Sequence, residues 1–178
     1  MPGRNPQQAV EAFLEPLRAA LRLLHGVAKL DVSPKGGYRL GQRYSWQLNG
    51  AEGMNLGAVG RFIASMEFEI VDADPAQNEY GHPYRVTTRS YHYKLRGRDG
   101  VDQWRMHWHP DGRSRVKVPH LHLPPDLKQH WSTGRMTLEN AVAWCIESGA
   151  AVVGGDSEQA QNKLVLIEAP HRLYRSWT

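Results

Sequence analysis

The chain has 178 residues, 40% of them hydrophobic and 22% charged, with a formal net charge of +4. These are the proportions of one soluble domain with a real core, and no apolar run approaches the roughly 18 residues a membrane span needs. The N-terminal residues lack the apolar segment of a signal peptide, and the single cysteine, Cys145, excludes an internal disulfide and any multi-cysteine zinc site. A cytoplasmic protein without membrane association is the default expectation.

Residues 6–25 read as a helix, with Val10, Phe13, Leu14, Leu17, Leu21 and Leu24 at three- and four-residue spacing. Pro16 lies inside the pattern and is expected to kink or split it; Gly26 is a stop signal. Residues 27–32 and 37–49 look extended, with Gly36-Gly37 turning between them. Residues 50–60 read as a glycine-rich loop. Strict alternation over 61–71 puts Phe62, Ala64, Met66, Phe68 and Ile70 on one side of a half-buried strand.

A polar loop over 72–83 leads to a strand at about 84–96. There Arg89, Tyr91, Tyr93 and Leu95 share one face, and His92 and Lys94 take the other. Asp99-Gly100 signals a hairpin. In the next strand, 101–109, Trp104, Met106 and Trp108 face one way, and Gln103, Arg105, His107 and His109 the other. Pro110 and Pro119 bracket a loop, after which His120 and His122 alternate with Leu121 and Leu123 until Pro124-Pro125. Residues 126–131, with His130, read as a helical turn. Thr137 is an N-cap for a helix over 138–148 that Gly149 ends, with Cys145 as a core residue. A last helix near 157–168 precedes Pro170 and an aromatic, basic tail. The fold class is α+β: a mostly antiparallel sheet with an N-terminal helix and C-terminal helices packed on it, one domain over 1–178. No glycine-rich nucleotide-binding motif is present.

Seven of the nine histidines lie between His82 and His130, and residues 85–117 carry nine Lys/Arg against three Asp. That stretch has net charge +6 and suits RNA or another polyanion. His25 and His171 read as structural and His82 as solvated. Whether His107/His109 and His120/His122 meet depends on the connection between their strands. A tight turn at Asp111-Gly112 would set His120 roughly 13 Å out of register with His107. A ten-residue loop between the prolines would bring the pairs side by side on one concave surface.

Three chemistries are open. Paired histidines suit zinc or another divalent metal in a hydrolase, with His107, His109, His120 and His122 as ligands; a His-Glu-x-x-His protease motif is absent. Alternatively, they suit RNA cleavage with no cofactor. In that reading His107 and His120 serve as base and acid, His109 and His122 orient them, and Arg105 and Arg135 clamp phosphate. Tyr91 or Tyr93 would stack on a base, and His130 would join the substrate contacts. The third possibility is a non-enzymatic partner-binding module presenting Trp131 or Trp177.

The segments Tyr91-His-Tyr93, His107-Trp-His109-Pro110, Pro119-His-Leu-His122 and Ser132-Thr-Gly-Arg135 resemble the TumE type of bacterial toxin over about residues 90–148. The resemblance implies a toxin component acting on RNA or translation, neutralised by a cognate antitoxin or regulator protein, and a small α+β ribonuclease-like fold.

Overall fold

The computed structural model describes residues 2–74, 81–112 and 114–174, with side chains described up to 169. The first helix, α1 (Pro6–Leu21), starts where Asn5 accepts the Gln8 N–H at 2.9 Å and Pro6 stands in the first turn. It buries Val10, Phe13, Leu14, Leu17 and Leu21. It ends four residues short of the expected 25 and runs unbroken through Pro16. Burial of the stripe on both sides of the proline outweighs the one backbone bond that proline cannot donate.

An eight-stranded, wholly antiparallel sheet follows: β1 (Leu30–Ser33), β2 (Arg43–Leu48), β3 (Met54–Asn55), β4 (Arg61–Asp72), β5 (Tyr84–Arg96), β6 (Asp102–Trp108), β7 (His120–His122) and β8 (Trp131–Ser132). The strand order is β1-β2-β4-β5-β6-β7-β8, with β3 beside β4. The expected strands at 61–71, 84–96 and 101–109 are β4, β5 and β6. Two short strands, β3 and β8, were not expected, because two residues are too few to show a period. Residues 126–129 make a turn closed by Gln129 N–H to the Asp126 carbonyl at 3.2 Å, and β8 begins where the helical turn was expected to continue.

The first two α-helices lie against one face of the sheet. Phe13 of α1 meets Phe68 of β4 at 5.4 Å between ring centroids. Trp144 of α2 (Leu138–Glu147) meets Trp104 of β6 at 5.8 Å. The third helix, α3 (Ser157–Tyr174), packs on both and continues through Pro170, beyond the expected end at 168. The alternating apolar residues of β2, β4, β5 and β6 form the core with these helices: Trp46, Phe62, Phe68, Tyr93, Leu95 and Met106 are all buried. Among the described residues no helix is long and apolar enough to cross a membrane.

Alternation leaves the opposite face of the sheet polar. One irregularity changes its content. A bulge at Glu67/Phe68 pairs Phe68 with Thr88 and Glu67 with Ser90, so the register steps past Arg89. Arg89 therefore moves off the tyrosine face assigned to it by simple alternation and bonds Glu69 on the polar face at 2.8 Å.

Candidate metal centre on the open face of the sheet

The register of the sheet builds the site. Gln47 pairs with Ser65, Ser65 with His92, His92 with His107, His107 with His120, and His120 with Ser132. This is one polar row across six strands. The next row pairs Lys94 with Arg105 and Arg105 with His122. The loop between Pro110 and Pro119 is what aligns β7 with β6; a tight hairpin would have slipped His120 past His107. The two His-x-His pairs therefore lie on adjacent strands and face the same way.

The rings are close. Centroid separations are 5.5 Å for His107–His120, 5.0 Å for His107–His122, 5.4 Å for His109–His120 and 5.1 Å for His120–His122. His130, just before β8, is 4.8 Å from His120 and 4.6 Å from His122. His92 is 4.3 Å from His107, edge to face. Among the described residues, two groups of three have ligand nitrogens all within 4.8 Å of one another: His107, His109 and His120, and His120, His122 and His130.

The electrostatics favour neutral rings. Burial pushes the pKa of His107 down to about 2, helped by the charges of His92, His122, His120 and His109. Burial, with Lys94 and Arg105 nearby, lowers His92 to about 4. His120 and His122 are also shifted down, first by burial and then against hydrogen bonds to the backbone of Val118 and Leu127. Neutral imidazole has one N–H and one lone pair. The His120 Nδ1 is 2.9 Å from the Val118 carbonyl oxygen, which fixes its proton there and turns the Nε2 lone pair into the cluster. His92 Nε2, His107 Nε2, His109 Nδ1, His120 Nε2 and His122 Nδ1 are buried with no hydrogen-bond partner among the described residues. Buried polar atoms are ordinarily satisfied, and four of these five histidines, His107, His109, His120 and His122, belong to the two triads, a pattern that suits a ligand bound by ring nitrogens.

Of the groups expected to complete an RNA site, His130 and Arg105 stand with the histidines, and Tyr91, Tyr93 and Arg135 do not. Tyr91 and Tyr93 are buried on the helix side, 3% and 0% exposed, and stack on each other at 5.0 Å. The Tyr91 hydroxyl accepts the Met136 N–H at 2.9 Å, so neither ring is available to a base. Strand alternation, which placed His92 on the open face, placed the tyrosines on the other. Arg135 stands on the helix side too, its guanidinium 3.8 Å from the Trp108 ring centroid, because the chain from β8 to α2 crosses to that face. Arg105 is on the histidine face, but its Nε donates to Asp102 at 2.6 Å. Asp102 also takes Arg96 at 2.8 Å and lies 3.9 Å from Lys94. Arg43 and Arg89 likewise pair with Asp111 and Glu69. Part of the basic strip is thus held in ion pairs, with Lys94, Arg96 and Arg105 sharing the one Asp102 carboxylate. Trp104 and Trp108 are core, Trp131 is 51% exposed, and Trp177 lies outside the described residues.

His92 is the member of the cluster that sequence reasoning did not select. Its face was legible from Tyr91 and Tyr93, but its pairing with His107 was not. Beside it a groove of about 460 Å³ runs along the open face, bordered by Ser65, Glu67, Ser90, His92, His107 and His109. Compared with family models, curated proteins and solved structures, the chain matches none.

Proposed function

We propose that the protein is a metal-dependent hydrolase whose divalent ion is held by imidazoles of the open sheet face. The two histidine triads, four of whose members keep a buried ring nitrogen with no hydrogen-bond partner among the described residues, carry the reading. An all-imidazole set, with neither thiolate nor carboxylate, suits zinc and its first-row neighbours over magnesium or calcium. Three protein ligands are the pattern of a catalytic rather than a structural zinc site, since a fourth position stays open to water or substrate. His107, His109 and His120 supply three, and the groove borders His107 and His109. An ion there would polarise a carbonyl or phosphoryl oxygen and acidify bound water. The Val118 carbonyl holds the His120 tautomer, the usual role of a group behind a ligating histidine.

The test uses tag-free protein purified without chelators. Elemental analysis should find stoichiometric zinc, cobalt, nickel or copper. Hydrolysis of 4-nitrophenyl acetate or bis(4-nitrophenyl) phosphate should appear with the metal and vanish in His107→Ala and His120→Ala. A chain that takes up no ion overturns the proposal.

A second reading is a ribonuclease or RNA-binding toxin acting without metal and bound by a cognate antitoxin. Its support is the motif resemblance together with exposed Arg115 and Lys117 in the loop beside the histidines. Against an acid–base pair stands burial: it lowers the pKa of His107 to about 2, which makes it a weak base, and it lowers that of His120 too, which disfavours the protonated acid. Expression of the chain alone decides: growth arrest relieved by His107→Ala, with RNA cleavage persisting in chelator, would favour the toxin.

A further inference from the structure

Building on the metal reading, we propose that the cluster holds one divalent ion at a time and passes it between two positions that share His120. The outer position is His120, His122 and His130; the inner is His107, His109 and His120.

The shared ligand sets the count. His120 has its proton on Nδ1, donated to the Val118 carbonyl, so Nε2 is its one lone pair. That lone pair binds an ion in one triad or the other, never in both. No Asp or Glu belongs to either triad. Two dications at the roughly 4 Å of paired-metal sites would repel with no carboxylate between them.

Access sets the direction. His130 is exposed, whereas His120 and His122 are buried and His107 and His109 half-buried. His130 is the most exposed of the five triad ligands, and capture there is the entry step of the proposal. Around the His120 ring, His122 and His130 stand at 5.1 and 4.8 Å between centroids and His107 and His109 at 5.5 and 5.4 Å. Transfer then exchanges two nitrogen–metal bonds for two others about a nitrogen that stays bound. No proton or electron moves. The inner position ends against the groove, where the ion meets substrate.

The experiment titrates the full, tag-free, metal-stripped chain with cobalt(II), reading stoichiometry by calorimetry, coordination by visible absorption and uptake rate by stopped flow. The wild type should saturate at one equivalent. His130→Ala, changed at an exposed side chain, should also saturate at one equivalent with the wild-type spectrum, but take cobalt up about tenfold more slowly. His107→Ala should still bind one equivalent, with the altered spectrum of the outer triad. His120→Ala, checked for folding by circular dichroism, should lose affinity by 100-fold or more, on the order of the upper end for lost support of a metal site. Two equivalents in the wild type, or unchanged uptake in His130→Ala, overturns the shared-ligand relay while leaving the metal site intact. Failure of the wild type to bind any cobalt overturns the metal reading itself.

Discussion

Asp102 and the histidines show how single side chains set the character of the open face. Burial alone would raise the Asp102 carboxyl; hydrogen bonds from Arg96 and Arg105 outweigh it and hold the group below the usual carboxylate range. Its side chain is 2% exposed, while Arg96 and Arg105 are 43% and 34% exposed. Asp102→Asn should therefore cost about 2 kcal/mol in urea unfolding at pH 7, less than the loss of a fully buried pair. With a folded pKa below the unfolded one, that stability is present above about pH 4 and disappears as pH falls through the folded value. His92 follows the same rule at higher pH. Its pKa drops from about 6.5 unfolded to about 4 folded. Between these values the unfolded chain binds more protons, so the metal-free protein should lose stability as pH falls from 6.5 to 4. Thermal melts across that window should show a shallower slope in His92→Gln; equal slopes would refute the assignment.

At the scale of the element, the helices and one loop each contain a local decision. The missing N–H of Pro16 deprives the Ala12 carbonyl of its helical partner. Pro16→Ala should restore it and stabilise the fold by about 1–3 kcal/mol. Thr137 caps α2 through the Asn140 N–H at 3.1 Å and donates to Glu168 of α3 at 3.0 Å. Thr137→Ala should cost about 1–2 kcal/mol by denaturant titration. The 110–119 loop sets the β6–β7 register. Replacing it with a two-residue type I′ turn should slip His120 away from His107. Circular dichroism should then remain sheet-like while high-affinity cobalt binding is lost; retained binding would show that register does not assemble the site.

Across the whole molecule, one sheet separates two environments. The helix-covered face excludes water and stores the aromatic residues; the open face collects histidine, serine and paired charge. Cys145 belongs wholly to the first: it is fully buried, and burial raises its thiol well above the ordinary value. Ellman's reagent should leave it unlabelled in the native protein and find one thiol per chain in denaturant, as expected for an inert core cysteine. Fast labelling under native conditions would contradict the packing of α2 against the core.

Alternation in β4, β5 and β6 was enough to assign faces, since a strand's period is two and each run is long. For the same reason Arg105, His107 and His109 could be placed together from residues alone, as could the α+β class and the Thr137 cap. Alternation also put Tyr91 and Tyr93 opposite the histidines, so their proposed contact with a base conflicted with their own strand pattern. What the chain's order could not specify was pairing. Register depends on loop closure and on packing between distant residues, so the His92–His107–His120 row exists only in the folded sheet. The same holds for the bulge that turns Arg89 over and for the partners that hold Arg105. Position along the chain also could not show that Arg135 crosses to the helix side. A histidine cluster was written in the sequence; the place of His120 in both triads, the buried nitrogens and the exposure of His130 are properties of the tertiary structure.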